Sequence, residues 1–325
     1  MNAIDVAAWL AHYQTDGVKL SLNELVNYQR FAHLLDLSPN KEVAGALSGG
    51  ERSKVKGRGM EFDEARHYQA GDDIRAIDWR VTARTGKTHT KVFREERDRP
   101  VFVHVDLLPS MFFGTQYLFK SVQAAHLAAL ITWSAVQRGD KIGGLMFNHE
   151  QDFELKPKAQ AKNALVLLNK LQECHSYAAK LANTRNDTQS DKQRFTDMLE
   201  RLAYVVKPGA LVYLISDFTQ LDATAKSALS RIARHCEIKA TIVTDPMEQR
   251  LPSTQVKQSV TVSKGNRKQQ IRLGDSQGAN EYQQKQAQHF KHIYDTLAEF
   301  RISCRNICAG RPIDQQISRR ELGSV

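Results

Sequence analysis

Residues 101–115 read VFVHVDLLPSMFFGT, in which an apolar run stops at the acidic residue Asp106 and passes into a loop. The run Val101–Val105 predicts a buried β-strand, and the apolar segment Tyr117–Gln137 predicts a helix packed on a sheet. A strand that ends in a carboxylate and leads through a loop to a helix places that charge at the carboxyl edge of the sheet. Open α/β sheets bind ligands at this edge. The stretch therefore predicts an α/β fold with a candidate site at Asp106.

The chain after this stretch alternates further strands with helices. The predicted strands are Ile142–Phe147, Asp152–Leu155, Leu211–Ser216, Ile238–Val243 and Ile302–Cys308. The predicted helices are Ala159–Leu171, Phe195–Val206, Ala223–His235 and Glu281–Phe300. The polar residues 174–192 predict a loop, and Val256–Leu273 predicts a basic hairpin around Gly265-Asn266. This alternation indicates βαβ units and a mostly parallel sheet of Rossmann type, flanked by helices.

Two regions precede this core. Residues 1–40 predict an N-terminal helical region, in which Ser21 and Glu24 have the spacing of a capping box. Residues 41–99 predict a small Arg/Asp-rich β segment: a glycine-rich loop to residue 60, then strands at Ile74–Val81 and Thr88–Phe93. The predicted organisation is therefore 1–40, 41–99 and a core domain at 100–325.

The composition is that of a soluble globular protein, with 325 residues, 41% hydrophobic and 25% charged. The longest apolar candidate, Val122–Val136, is too short to span a bilayer and contains Gln123 and His126, so it predicts a buried helix. No signal peptide is recognisable, and the four cysteines match no zinc module. We therefore expect a cytoplasmic protein that does not insert into membranes and whose thiols are reduced.

A dense set of arginine, aspartate, tyrosine and tryptophan residues precedes Val101. The set comprises Gly57-Arg58-Gly59-Met60-Glu61-Phe62, Arg66-His67-Tyr68, Gly71-Asp72-Asp73-Ile74-Arg75, Ile77-Asp78-Trp79-Arg80 and Ala83-Arg84. Together with Asp106 to Gly114 and Leu214-Ile215-Ser216-Asp217-Phe218, it resembles the domain-of-unknown-function 58 family of bacterial proteins. The resemblance covers most of the chain and implies a von Willebrand factor A-like core. It also implies a partner protein, because members of that family commonly occur beside MoxR-type AAA+ ATPases.

The resemblance to the von Willebrand factor A fold further implies a Mg²⁺ site. In that fold the ligands come from D-x-S-x-S after the first strand, a later threonine, and an aspartate after the fourth strand. Here Asp106 and Ser110 match the first motif, Leu108 replaces its middle serine, Asp217 matches the distant aspartate, and no threonine is assigned. Because carboxylate and hydroxyl oxygens suit hydrated Mg²⁺, these residues predict a degenerate metal-ion-dependent adhesion site. The alternative is that Asp106 and Asp217 only stabilise the adjacent helix N-terminus.

The charged motif predicts a partner-binding surface. Its candidate residues are Arg66, Tyr68, Asp72, Asp73, Arg75, Asp78, Trp79, Arg80 and Arg84. Arginine pairs with carboxylates and stacks on aromatic rings, so the motif suits recognition of a protein or a phosphate. The alternative is an internal salt-bridge network, which the balanced charges favour for Asp72, Asp78 and Arg75. In that interpretation Arg75→Ala lowers the stability of the protein.

No catalytic motif stands out in the sequence. It contains neither G-x-S-x-G nor H-E-x-x-H. Gly86-Lys87-Thr88 resembles the end of a Walker A loop, but Val81 occupies the position of the required first glycine. The absence of these motifs predicts a non-enzymatic protein. The family resemblance implies that it is an adaptor that works with a MoxR-type ATPase in the assembly or maturation of an unidentified client protein.

Two other functions stay open at this point. The net charge of +10 favours nucleic-acid binding, with the arm Arg52–Arg58 and the hairpin Lys257–Arg272 as contacts. The second is a Mg²⁺-dependent hydrolase that uses Asp106 and Asp217, for which the sequence offers no general base.

Overall fold

The structure is a computed structural model that describes residues 6–37, 60–69, 71–95, 99–182, 188–252, 258–264 and 267–317. The helices are α1 (Val6–Tyr13), α2 (Leu22–Asn27), α3 (Trp79–Thr85), α4 (Lys120–Arg138), α5 (Ala161–Ala182), α6 (Thr188–Val205), α7 (Ala223–Ala233), α8 (Pro246–Gln249), α9 (Ser276–Glu299) and α10 (Ile313–Gln316). The strands are β1 (Met60–His67), β2 (His89–Glu95), β3 (Val101–Asp106), β4 (Ile142–Phe147), β5 (Asp152–Lys158), β6 (Leu211–Ser216), β7 (Glu237–Thr244), β8 (Gln258–Lys264), β9 (Arg267–Leu273) and β10 (Ser303–Cys308).

The core is a six-stranded sheet in the order β10-β7-β6-β3-β4-β5. Its strands pair in parallel except for the edge strand β5, which is antiparallel to β4. Strands β3, β4 and β6 are buried at every position, because the sheet is covered on both faces. The prediction of an α/β fold with a mostly parallel sheet flanked by helices is confirmed. This strand order is that of the doubly wound fold, whose ligand crevice lies at the carboxyl ends between β3 and β6.

Helix α4 is buried almost from end to end, which explains why it is apolar on every face. It packs on β3 and also on the 3₁₀ segment Tyr28–Leu34. The Trp133 indole N–H donates to the Leu25 carbonyl at 3.0 Å, so N-terminal residues cover the helix. The predicted buried helix at Val122–Val136 is therefore confirmed. Within the described ranges, no helix has the length and apolarity that crossing a bilayer requires.

The chain forms two compact units, one made of Met1–Leu47 with Arg99–Val325 and the other of Ser48–Asp98. In the first unit, Ser21 and Glu24 form the predicted capping box at the start of α2. In the second unit, β1 and β2 pair as an antiparallel ribbon with a register shift after Phe62. The N-terminal helices therefore belong to the same compact unit as the central sheet.

The predicted strand at Ile74–Val81 is wrong. These residues form the 3₁₀ turn Ile74–Ala76 and the start of α3. The reason is local, because the carboxylates of Asp73 and Asp78 accept hydrogen bonds from the following backbone N–H groups and so favour helical turns. Gly86, with φ of 70°, then ends α3 in the left-handed conformation that glycine adopts readily.

The predicted loop at residues 174–192 is also wrong wherever the structure describes it. Helix α5 continues to Ala182, and α6 begins at Thr188. Cys174, His175 and Ala178 are buried on α5, while Ser176 and Tyr177 between them are half-buried and Glu173 and Lys180 are exposed. The polar composition therefore belongs to an amphipathic helix.

Candidate functional site

Three neighbouring strands of the sheet carry an aspartate at the same edge. Asp106 ends β3, Asp217 follows β6, and Asp245 follows β7. Because these strands are parallel and adjacent, their carboxyl ends meet. All three side chains are buried, with exposed fractions of 0%, 3% and 0%. The site predicted from Asp106 and Asp217 is thus a buried group of carboxylates at the crevice of the sheet.

A buried lysine lies within this group. Lys120 is the first residue of α4 and is 0% exposed. Its Nζ donates to Asp217 Oδ2 at 2.9 Å and to Glu248 Oε1 at 2.6 Å. A cation at a helix N-terminus opposes the helix dipole, and a buried ammonium is costly unless it is paired. The two carboxylates therefore hold Lys120 in place. We call Lys120, Asp106, Asp217 and Glu248 the sheet-edge cluster.

Asp106 is held by the loop that follows it and by the neighbouring strand. Its Oδ1 accepts from the Leu108 backbone N–H at 2.8 Å, and its Oδ2 accepts from the Ser216 hydroxyl at 2.7 Å. The Ser216 oxygen in turn accepts from the Phe218 N–H at 2.9 Å. Both oxygens of Asp106 are therefore already used in joining the ends of β3 and β6.

Strained backbone orients Asp217. Phe218, the next residue, has φ of 53°, which is rare for a bulky side chain, and it is buried. This turn directs the Thr219 N–H and hydroxyl onto Asp217 Oδ1, at 3.0 and 2.8 Å. Asp217 Oδ2 is thereby left to accept from Lys120. The left-handed conformation of Phe218 thus favours the ion pair between Asp217 and Lys120.

The pKa values of Asp106 and Asp217 are shifted in opposite directions. Burial opposes ionisation of Asp217, but the charge of Lys120 and its hydrogen bond hold the pKa of Asp217 below its usual value. Burial and the negative charge of Asp217 raise the pKa of Asp106 to about 7. Burial opposes the charge on Lys120 too, yet Asp217 and Glu248 raise the lysine pKa above its usual value. The pair Lys120–Asp217 is therefore ionised at neutral pH, whereas Asp106 is partly protonated.

The residues present do not fit the Mg²⁺ ion that the sequence predicts. Both oxygens of Asp106 and both of Asp217 already accept hydrogen bonds, and one of the donors is an ammonium. The Ser110 oxygen is buried here and helps to keep Asp217 ionised, but it makes no hydrogen bond of standard geometry. Among the described residues, no three His, Cys, Asp or Glu side chains are grouped to hold a metal. The magnesium site stays a prediction, and Lys120 weighs against it.

The predicted partner-binding residues divide into internal and exposed groups. Arg66 forms a salt bridge to Asp72 at 2.7 Å, and Asp72 also accepts from the Gln69 N–H. These two bonds, the second above all, lower the pKa of Asp72. Asp73 and Asp78 cap the two turns described above. The acidic residues of the motif therefore stabilise the second compact unit itself.

The remaining residues of the motif face outward. Ile74 and Trp79 are 66% and 68% exposed. Arg75, Arg80 and Arg84 are exposed, and none of them has a side-chain partner within the described part of the chain. Arg80 and Arg84 share a helix face because they are four residues apart on α3. These five residues constitute what we call the Trp79 surface. Tyr68, the ninth candidate, is half-buried in the same unit.

Arg75 departs from the internal network that the charge balance favoured. Because its guanidinium is exposed and has no partner among the described residues, we expect Arg75→Ala to change the free energy of unfolding by less than about 0.5 kcal/mol. Arg66→Ala is the matched comparison, since it breaks the bond to Asp72, and we expect it to cost about 0.5–1 kcal/mol. Urea unfolding of both variants measures the difference. A larger loss of unfolding free energy in Arg75→Ala than in Arg66→Ala would show that Arg75 belongs to the internal salt-bridge network.

The nucleic-acid contacts predicted from sequence are described only in part. The arm Arg52–Arg58 lies outside the described residues. The predicted hairpin is confirmed, because β8 and β9 pair antiparallel from Gln258–Leu273 to Lys264–Arg267, while Gly265 and Asn266 lie outside the described ranges.

The chain is similar in sequence to several known proteins. It is 28% identical over 218 residues to Uncharacterized protein Mb1516 of Mycobacterium bovis and to Uncharacterized protein Rv1480 of Mycobacterium tuberculosis, covering 67% of this chain. The match spans 65% of the length of these relatives. Among solved structures, it is similar to the conserved hypothetical protein BatB from Bacteroides thetaiotaomicron, at 16% identity and a TM-score of 0.38, covering 67% of this chain and 97% of that one. The family model described as protein of unknown function DUF58 matches residues 64–292, and the chain belongs to this family.

Proposed function

We propose that this chain is a non-enzymatic protein-interaction module whose contact site is the Trp79 surface. One observation carries the proposal: an exposed tryptophan is flanked by arginines that have no partner in the described part of the chain. Tryptophan and arginine are enriched among the residues that dominate binding energy at protein interfaces. The sheet-edge cluster, by contrast, is largely shielded from solvent, so a substrate has poor access to its carboxylates.

The charge of the surface narrows the chemistry of the partner. The motif's aspartates are used internally, in the salt bridge to Arg66 and in helix capping. Asp73 is exposed as well, but Arg75, Arg80 and Arg84 outnumber it, so the outward-facing charge of this part of the motif is positive. Guanidinium groups pair bidentately with carboxylates, and Trp79 and Ile74 supply apolar area between them. The complementary partner is an acidic protein segment that also carries apolar side chains.

The partner that we propose is a MoxR-type AAA+ ATPase, with the chain acting as an adaptor in the assembly or maturation of a client protein. Two points support this partner: the chain belongs to the DUF58 family, and the family resemblance implies a MoxR-type ATPase as its partner. The test is co-purification of the tagged chain with the MoxR-type ATPase of the same genome, followed by a Kd measurement.

The Trp79→Ala variant tests the contact directly. We expect it to weaken binding of the ATPase about tenfold or more, because truncating a central aromatic residue at an interface commonly costs 2 kcal/mol or more. Biolayer interferometry with immobilised chain measures the effect. The free energy of unfolding should be nearly unchanged, since the indole is 68% exposed.

The matched control is Tyr204→Ala, which removes a 91% exposed aromatic side chain from α6 in the other compact unit. A second pair compares Arg80→Glu with Lys285→Glu, since both reverse one exposed charge. Only the Trp79 and Arg80 variants should lose affinity. Equal losses in the controls, or full affinity in Trp79→Ala, would remove the Trp79 surface from the proposal.

The same surface also suits the alternative of nucleic-acid binding, because arginines contact phosphates and tryptophan stacks on bases. Titration of a fluorescent single-stranded oligonucleotide at several salt concentrations separates the two functions. Binding that falls steeply with salt and depends on Trp79 would favour the nucleic-acid function. A hydrolase that uses Asp106 and Asp217 would instead show Mg²⁺-dependent turnover that Asp106→Ala abolishes.

A further inference from the structure

The sheet-edge cluster contains a fixed cation that belongs to the protein. Lys120 Nζ lies against Asp217, at the switch point between β3 and β6, and contacts Glu248 from the turn after β7. Of these two carboxylates, Asp217 is one of the ligands around which the sequence predicted a divalent ion, whereas Glu248 is not. The ammonium is 0% exposed and reaches the cluster from the first turn of α4.

The backbone around the cluster is arranged for this pair. The left-handed Phe218 directs two donors onto one oxygen of Asp217 and leaves the other for Lys120. Glu248 is oriented by the capping box of α8, in which its other carboxylate oxygen accepts from the Asp245 N–H at 3.0 Å. Lys120 thus joins α4, the end of β6 and α8 through one charged atom.

We propose that the Lys120 ammonium takes the place of a divalent cation, so that this sheet edge is held together without a metal. A corollary is that removing the ammonium and its side-chain volume opens a divalent-cation site lined by Asp217, Asp106 and Glu248. The buried Ser110 oxygen, which makes no standard hydrogen bond, is a further oxygen available to such an ion. This inference is independent of the proposed adaptor function.

The experiment uses thermal melting of the full chain with EDTA, Mg²⁺ or Mn²⁺. The wild-type Tm should be the same under all three conditions. Lys120→Ala and Lys120→Met should both melt lower by several degrees, because each leaves the buried Asp217 and the half-buried Glu248 without their counter-charge. Lys120→Met is the matched control, since it removes the charge but keeps most of the volume of the side chain.

Mn²⁺ should raise the Tm of Lys120→Ala and leave that of Lys120→Met nearly unchanged. Loss of the free Mn²⁺ signal in electron paramagnetic resonance should report one tightly bound ion in Lys120→Ala and none at this edge in the wild type. If Lys120→Ala does not fold, the double variant Lys120→Ala/Glu248→Gln carries one unpaired carboxylate fewer and takes its place.

Three results would overturn the proposal. The first is a wild-type Tm that rises with Mg²⁺ and stops doing so in Asp217→Asn, which would make the edge a metal site with Lys120 present. The second is a Lys120→Ala variant as stable as the wild type, which would show that the ammonium does not hold the edge. The third is a destabilised Lys120→Ala variant that neither binds Mn²⁺ nor is stabilised by it.

Discussion

Asp217→Asn should lower the free energy of unfolding by about 3 kcal/mol at neutral pH. Lys120 would keep only Glu248, whose carboxylate is one-quarter exposed, with a side-chain exposure of 26%. Breaking a buried ion pair by neutralising one partner commonly costs about 3–5 kcal/mol, because the other charge stays buried without full compensation. Urea unfolding followed by circular dichroism measures the loss.

The control for this variant is Asp222→Asn. Asp222 caps α7 by accepting from the Ala225 N–H at 2.8 Å, and asparagine caps helices about as well as aspartate. We therefore expect a change of only a few tenths of a kcal/mol, although the same charge is removed. If Asp217→Asn behaved like Asp222→Asn, Lys120 would not depend on Asp217.

Whether a segment could be predicted depended on whether its signal was local. The strand at Val101–Asp106 was predictable because a short β-branched run ends at a charged residue, and the structure confirms it. The hairpin of β8 and β9 was predictable from Gly265-Asn266 between two alternating segments. Asp245 could have been found by the same reasoning as Asp106, since it too follows an apolar run.

The turn and helix at residues 74–85 were misjudged because alternating hydrophobicity outweighed the capping signals. Asp73 and Asp78 each mark the start of a short helical segment, and Gly86 marks the end of the second one. Alternation over a few residues cannot distinguish a strand from turns in which apolar residues are exposed. Ile74 and Trp79 are such residues, and their exposure is the main support for the proposed interaction surface.

The sheet-edge cluster could not be predicted from the sequence, for a different reason. Lys120, Asp217 and Glu248 come from three distant parts of the chain, and only the fold brings them together. A lysine at the start of an apolar helix ordinarily extends into solvent. Its burial follows because the first residue of α4 lies against Asp217 and Glu248 at the edge of the sheet, and periodicity does not encode this placement. The von Willebrand factor A resemblance drew attention to Asp106 and Asp217 and suggested a metal as their counter-charge.

Asp106→Asn should behave in the opposite way to Asp217→Asn and make the protein more stable at neutral pH than the wild type. The pKa of Asp106 is raised to about 7 by burial and by the charge of Asp217, whereas an unfolded aspartate has a pKa near 3.9. Between about pH 4 and 7 the Asp106 carboxyl therefore binds more protons in the folded wild type than in the unfolded chain. Over that window the contribution of Asp106 to stability falls as the pH rises.

Other buried groups act on the wild-type profile in the opposite sense. Burial lowers the pKa of His104 and that of His175 to about 4 each, so their contribution to stability rises as the pH increases from about 4 to 6.5. The difference in unfolding free energy between Asp106→Asn and the wild type cancels these terms, because both proteins keep the histidines. This difference, rather than either profile alone, isolates Asp106.

The difference should be near zero at pH 4, increase in favour of Asp106→Asn up to about pH 7, and level off above it. Its final size should be on the order of 4 kcal/mol, since the folded and unfolded pKa values of Asp106 differ by about 3 units and one unit corresponds to about 1.4 kcal/mol. The amide oxygen can still accept from the Leu108 N–H. In the wild type Ser216 Oγ donates to Asp106 Oδ2, and the amide NH2 would reverse this bond by donating to Ser216 Oγ. Asp197→Asn, at an exposed position on α6, measures the effect of losing a surface carboxylate. A difference that is flat with pH would mean that Asp106 is ionised throughout, and the sheet-edge cluster would then carry enough negative charge to attract a second cation.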